Sequence, residues 1–349
     1  MNENKTPFEL GFSMPAEWER HEATWLSWPK DPLTFPENII DRVEQTYVKM
    51  IETLQKGERV DLLVDDQKTV ERVTGLLSSK NNVQFHKIKS ADVWIRDYGP
   101  IFVKNSSGIA ATKWIFNAWG KKYDELLRDN ESGMKICKAT KLQVFEPGIV
   151  LEGGSIDANG SGLCLTTMQC LLNKNRNPKL NAAQLEKYLH DFLGVKKTIW
   201  LSKGISGDDT DGHVDDIARF VDENTVICMV EENKSDDNYA ILEQNYEFLK
   251  QFKDQDGRLL EVIPINMPNK LETQDGRLPA SYANFYVGNN AVLVPIFGDA
   301  KKDEDVLVKL EELFPKRQIV GINCRDLVYG FGGIHCVTQQ QPSGSLSYE

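Results

Sequence analysis

The feature that most constrains this chain is a helix followed closely by a strand, repeated along its length. "IIDRVEQTYVKMIETLQKG" (39–57) spaces its apolar residues as one helix face requires and stops at a glycine; "RVDLLVDD" (59–66) then reads as a strand. "QKTVERVTGLLSSK" and "VQFHKI" repeat the pair. So do "NAAQLEKYLHDFLG" (181–194) with "KKTIWL" (197–202), "YAILEQNYEFLKQF" (239–252) with "LLEVIPI", and "DEDVLVKLEELFP" (303–315) with "RQIVGIN". Recurrence at intervals of roughly 50 to 75 residues predicts an α/β fold of repeated units. No long Pro- or Ser-rich linker interrupts the 349 residues, which predicts one continuous domain.

Charge narrows the partners. The chain carries 52 acidic and 41 basic residues, a net −11 at neutral pH. Such a surface repels phosphate backbones and argues against nucleic acid; it suits a cationic ligand better. No apolar run approaches the ~18 residues of a membrane helix, and "MNENKTPFELGF" lacks the basic and apolar regions of a secretory signal. The six cysteines form no CxxC pair, which predicts reduced thiols in a cytoplasmic protein. The closing "SGSLSYE" (343–349) is expected to be a mobile tail.

Turn-rich segments between the units hold every unusual cluster. They are "DVWIRDYGPIFV" (92–103), "LEGGSID" (151–157), "GDDTDGHVDDIARF" (207–220) and "VYGFGGIHCVTQQQP" (328–342). The third fails as a calcium loop, because Gly212 at the sixth position puts Gly207 first and Ala218 last, where acidic ligands are needed. It fails as a zinc site for want of a second histidine three or four residues away. "VDDIARFV" reads as a strand that turns His213 and Asp215 to one face and Val214, Asp216 and Ala218 to the other. The competing reading is a solvated acidic loop. "GFGG" before Cys336 opens no helix, so a dinucleotide site is disfavoured. Cys336 is then a packed structural thiol or a nucleophile in a setting where the backbone turns sharply. Arg96 and Asp97 read as an internal ion pair or a functional group, and Glu152 as a turn carboxylate or a catalytic one.

Taken together the motifs resemble a known family. "WIRDYGP", "FNAWG", "LEGGSID", "LLNKNRNP", "DDTDGHVDDIARF", "SYANFY" and "GGIHCVTQQQP" occur in the order seen in the agmatine deiminase family, which belongs with bacterial-type peptidylarginine deiminases. The opening "GFSMPAEWERHEATWLSWP" is similar too, so the resemblance runs from about Gly11 to Pro342. It implies a five-bladed pseudo-symmetric α/β propeller of the pentein type, a single catalytic domain over 1–349 with a central polar channel. It further implies Cys336 as nucleophile, His213 as acid/base with Glu152 beside it, and Asp97 and Asp215 holding a guanidinium. Trp94 and Asn284 match positions near the substrate. No metal or organic cofactor is implied, and a homodimer is expected by analogy.

That chemistry needs these residue types. A guanidinium is planar, cationic and a poor electrophile; paired carboxylates grip its N–H edges and fix its carbon over the sulfur. Carboxylates near Cys336 raise its pKa above the ordinary ~8.5. A bound cation about 4 Å away would offset this by up to roughly three pKa units, so the thiol is expected to ionise as substrate arrives. Agmatine, converted to N-carbamoylputrescine and ammonia, is the first expectation. Alternatives are free, modified or peptide-bound arginine, and a catalytically inactive guanidinium-binding protein. The chain departs from the usual agmatine pattern at Tyr98, where threonine is common, at "GFGGIHC", and in the compact "KKYDELLRD" after "FNAWG".

Overall fold

The computed structural model describes residues 5–274 and 276–344. Four of its sheets share one construction: an antiparallel strand pair, a helix, and a third strand parallel to the second. Ile101–Asn105 pairs with Gly108–Thr112, and helix Asp129–Thr140 leads to Gln143–Phe145. Ile156–Ala158 and Leu163–Thr167 are followed by helix Ala182–Leu193 and Lys197–Leu201. Ala218–Phe220 and Thr225–Val230 precede helix Tyr239–Gln251 and Glu261–Asn266. Tyr286–Val287 and Ala291–Ile296 precede helix Ala300–Leu313 and Gln318–Asn323.

The fifth sheet is made from both ends of the chain. Gln339–Pro342 lies antiparallel to His21–Ser27, which continues through parallel strands Arg59–Val64 and Val83–Lys87. Helices Glu37–Leu54 and Gln67–Leu76 form the crossovers. The mixed α/β architecture is therefore as expected. In three of these sheets a buried strand runs through the middle: Leu163–Thr167 is buried throughout, and Thr225–Val230 and Ala291–Ile296 are buried at every residue but the last.

Local signals place the helix ends. Asn181 and Gln184 form a reciprocal capping box at the start of Ala182–Leu193, and Gly194 closes it at φ 72°. Helix Asp129–Thr140 was not predicted. Its inward face is Asp129, Ser132, Gly133, Ile136 and Cys137, correctly spaced but mostly small or polar. Close packing explains the choice: a Cβ on Gly133 would stand 2.0 Å from the Tyr98 carbonyl oxygen.

One local reading is corrected. Val214–Asp216 is a turn of 3-10 helix, and the strand begins only at Ala218. Strand alternation does not apply to 213–216, so Asp216 is not sent away from His213 and Asp215. The tail expected at 343–349 falls outside the described residues from 345 onward; Ser343 is buried and its amide donates to the Arg20 carbonyl. Among the described residues no helix is long and apolar enough to cross a membrane. All six cysteines are buried and free.

The construction has one consequence for chemistry. Trp94 and Asp97, Glu152, His213 and Asp215, Asn284, and Cys336 each lie a few residues ahead of the first strand of a different sheet.

Candidate active site

Cys336 anchors the site through Asn284. The Asn284 Nδ2 donates to the Cys336 sulfur at 3.2 Å and to Asp216 Oδ1 at 2.9 Å, while its Oδ1 accepts the His335 amide at 2.9 Å. This close seat explains the preceding glycines. A Cβ on Gly333 would lie 2.4 Å from Asn284 Oδ1, and one on Gly332 would lie 2.2 Å from the Trp94 ring. The sulfur lies 3.8 Å from Asp215 Oδ2. Burial, then Asp215, Asp216 and Asp97, push the thiol well above its ordinary pKa, the expected direction.

Asp97 is held by two donors, the Gly154 amide at 3.0 Å and the Trp119 indole N–H at 2.9 Å. Burial outweighs the lowering by His213 and by these donors, with Asp215 and Glu152 adding repulsion, and its carboxyl is pushed up to about 6. Asp215 moves the other way. Burial raises it, but His335, whose Nδ1 lies 2.7 Å from Oδ2, brings it below the usual carboxylate range. His335 also faces Glu17 through Nε2 at 2.8 Å, and Glu17 is paired with Arg219 at 3.0 Å. Asp215 Oδ1 has no hydrogen-bond partner, which leaves an acceptor free.

His213 sits with Nδ1 3.8 Å from Asp97 Oδ1. Burial disfavours its charged form, yet Asp97, the neighbouring Cys170 thiol and Asp215 raise it well above the ordinary imidazole value. Glu152, fully buried, accepts from Arg176 Nε at 2.7 Å. Its side chain is therefore half of an ion pair, not a cap for turn amides. Arg96 does not pair with Asp97; it donates to Gln340 Oε1 at 2.6 Å and lies 3.4 Å from Glu17. Gly154 stands where the site converges: a Cβ there would meet His213 Nδ1, Asp215 Oδ2 and Asp97 Oδ1 at 2.6, 3.0 and 3.0 Å.

Trp94, Asp97 and Cys336 line a cavity of about 230 Å³. Its other walls include Asp31, Asp92, Glu125 and Asp209, with Trp119, Tyr123, Tyr329 and Phe331. No lysine, arginine or histidine is among the described residues that line it. Tyr98 does not line it; its ring is buried and its hydroxyl donates to the Asp92 carbonyl at 3.3 Å. The compact segment after "FNAWG" contributes Tyr123, Glu125 and Leu126 to the wall.

Sequence reasoning missed Trp119, Asp216, Arg176 and His335. All four lie inside quoted motifs, but nothing local marks them. Trp119 reaches Asp97 from an unusual turn in which Ala118, Trp119, Gly120 and Lys121 have φ of 52°, 51°, 87° and 63°. Left-handed backbone costs a residue with a Cβ about 1–2 kcal/mol. Asn117 offsets this by accepting the Gly120 amide at 2.8 Å and donating to the Asn175 carbonyl at 2.9 Å.

Cys336 and Asp97 line the cavity, and His213 and Asp215 are buried against them; a thiol, an imidazole and two carboxylates so placed can bind a planar cation and attack its carbon. Comparison with known proteins gives the class: the chain is a hydrolase of amidine C–N bonds. It belongs to the Porphyromonas-type peptidyl-arginine deiminase family, whose model matches residues 13–342. A relative named agmatine deiminase from Medicago truncatula is 36% identical over 98% of this chain and 100% of its own. The solved agmatine deiminase of Enterococcus faecalis superposes with TM-score 0.90 at 31% identity, covering 97% of this chain and 98% of that one. A Cys-to-Ser variant of the C. jejuni agmatine deiminase, solved with substrate bound, gives 0.86 at 34%, covering 95% and 97%.

Proposed function

We propose that this chain hydrolyses agmatine to N-carbamoylputrescine and ammonia through a covalent intermediate on Cys336. The carrying observation is the cavity: it reaches Cys336, presents five carboxylates and offers no basic side chain among its described residues. Agmatine is cationic at both ends and fits such walls. Free arginine would bring its carboxylate against them without a partner, which is costly in a desolvated site.

Asp97 and Asp215 grip the guanidinium and hold its carbon over the sulfur. The substrate's charge offsets the carboxylates that keep Cys336 protonated, and the thiolate forms as its proton passes to water. Attack makes an S–C bond; His213 gives its proton to the departing nitrogen, which leaves as ammonia. A thiouronium remains. His213, now neutral, takes a proton from water as the oxygen adds to carbon; the S–C bond breaks, releasing the urea product and the thiolate. Glu152, oriented by Arg176, supports the histidine's charged form.

The same proposal makes the five sheets the blades of a propeller around this site, working as one catalytic domain. The position of the site segments before the first strand of each sheet supports it. A cytoplasmic setting and a homodimer belong to the proposal as expectations from the resemblance. The test is ammonia release from agmatine, free arginine and a short arginyl peptide, with Cys336→Ser alongside. Release from agmatine, lost in the variant, is expected; release from arginine alone overturns the substrate.

A further inference from the structure

Cys170 is a buried thiol that the proposed reaction does not use. Its sulfur, a Glu152 carboxylate oxygen and a His213 ring nitrogen all lie within 4.8 Å of one another, and all three residues are buried. Each is fixed by its own surroundings. Thr167 caps the short helix Met168–Leu171 by accepting the Cys170 amide at 3.1 Å. Arg176 holds one Glu152 oxygen, and the His213 amide donates to Asp208 Oδ2 at 3.1 Å. The remaining Glu152 oxygen, Oε2, and His213 Nε2 have no hydrogen-bond partner although both are buried.

We propose that Glu152, Cys170 and His213 bind a thiophilic divalent cation, with Zn²⁺ as the type, and that binding inhibits the enzyme. Thiolate, imidazole and carboxylate form a characteristic zinc donor set, and three protein ligands leave a fourth position open. Zinc–ligand bonds of about 2.0–2.3 Å put donor atoms of one tetrahedral site roughly 3.5 Å apart, so side-chain adjustment suffices. Binding displaces the Cys170 thiol proton and the His213 ring proton to water; the resulting thiolate and the Glu152 carboxylate balance the ion's charge, and Arg176 becomes the outer partner that orients Glu152. The three ligands do not line the cavity, but Asp97 does and lies 3.8 Å from His213, which puts the site behind that wall. Coordination occupies the ring that must carry the proton, so turnover stops. The inhibition rests on the function proposed above; the binding does not.

Cobalt(II) separates the two. Titrated into Cys336→Ser protein, it should produce a thiolate-to-cobalt charge-transfer band, absent when Cys170→Ala is added. No band in Cys336→Ser, or a band that survives the double variant, overturns the site. In parallel, zinc should inhibit ammonia release by wild type. Cys170→Ala, or Cys170→Ser should alanine fold poorly, should turn over with its zinc sensitivity reduced by at least the roughly 10- to 100-fold typical of outer-shell losses. Equal sensitivity would place zinc on Cys336 instead and overturn the proposal. Should no guanidine be hydrolysed, the functional reading falls while the cobalt band still decides the metal site.

Discussion

Gly154→Ala tests the site geometry with the smallest possible change. The backbone at Gly154 is not left-handed, so alanine is acceptable conformationally. The added methyl would stand 2.6 Å from His213 Nδ1, whereas ordinary contact begins at 3.4 Å, so the ring must retreat by about 0.8 Å. Asp97 and Asp215, each 3.0 Å from the same methyl, must give by about half as much. Misplacement of about 1 Å in a reacting constellation costs on the order of 100-fold in rate, close to 3 kcal/mol of barrier. Overpacking of a core costs about 1–3 kcal/mol in stability, which the folded state should survive. The assay is kcat/KM for ammonia release from agmatine, with thermal melting measured on the same preparation. Gly75→Ala is the control: it lies in helix Gln67–Leu76 with nothing within 4 Å of its new methyl, and should keep full activity. Activity of Gly154→Ala within about threefold of wild type would refute the convergence of His213, Asp97 and Asp215 as a rate-determining constraint.

Three further outcomes follow from Asp97. Its folded carboxyl titrates at about 6 against an ordinary 3.8, so the ionised form is destabilising. That burden is absent below pH 3.8, grows as pH rises and is complete above 6, where it reaches on the order of 3 kcal/mol. Asp97→Asn should therefore melt higher than wild type at pH 8, lose that advantage near pH 4, and release ammonia at least about 100-fold more slowly; equal melting at both pH values would contradict the burial argument. In wild type kcat/KM should fall as pH drops through about 6. Trp119→Phe removes one of the donors that favour the charged form, so that acid limb should move upward and kcat/KM should fall by roughly 10- to 100-fold, the worth of a hydrogen bond to a charged group. An unmoved limb would show that the indole does not tune Asp97.

The helix–strand pairs and the chemical types in the four turn-rich segments are properties of local sequence. They were readable because apolar spacing and terminal glycines act over a few residues. Where those signals weaken, reading failed. Helix Asp129–Thr140 buries serine, glycine and aspartate in place of an apolar stripe, and Val214–Asp216 turns as 3-10 helix within an apparent strand. The motifs picked out Cys336, His213, Glu152, Asp97 and Asp215 as candidates, but they could not show how those groups meet. Only the tertiary structure brings segments from five sheets onto Gly154 and Asn284 and folds Trp119 back over Asp97. It also sets the charges. Asp97 and Asp215 are chemically identical in sequence, yet one is raised and the other lowered, because desolvation and the nearest cation are decided by what packs around each carboxyl.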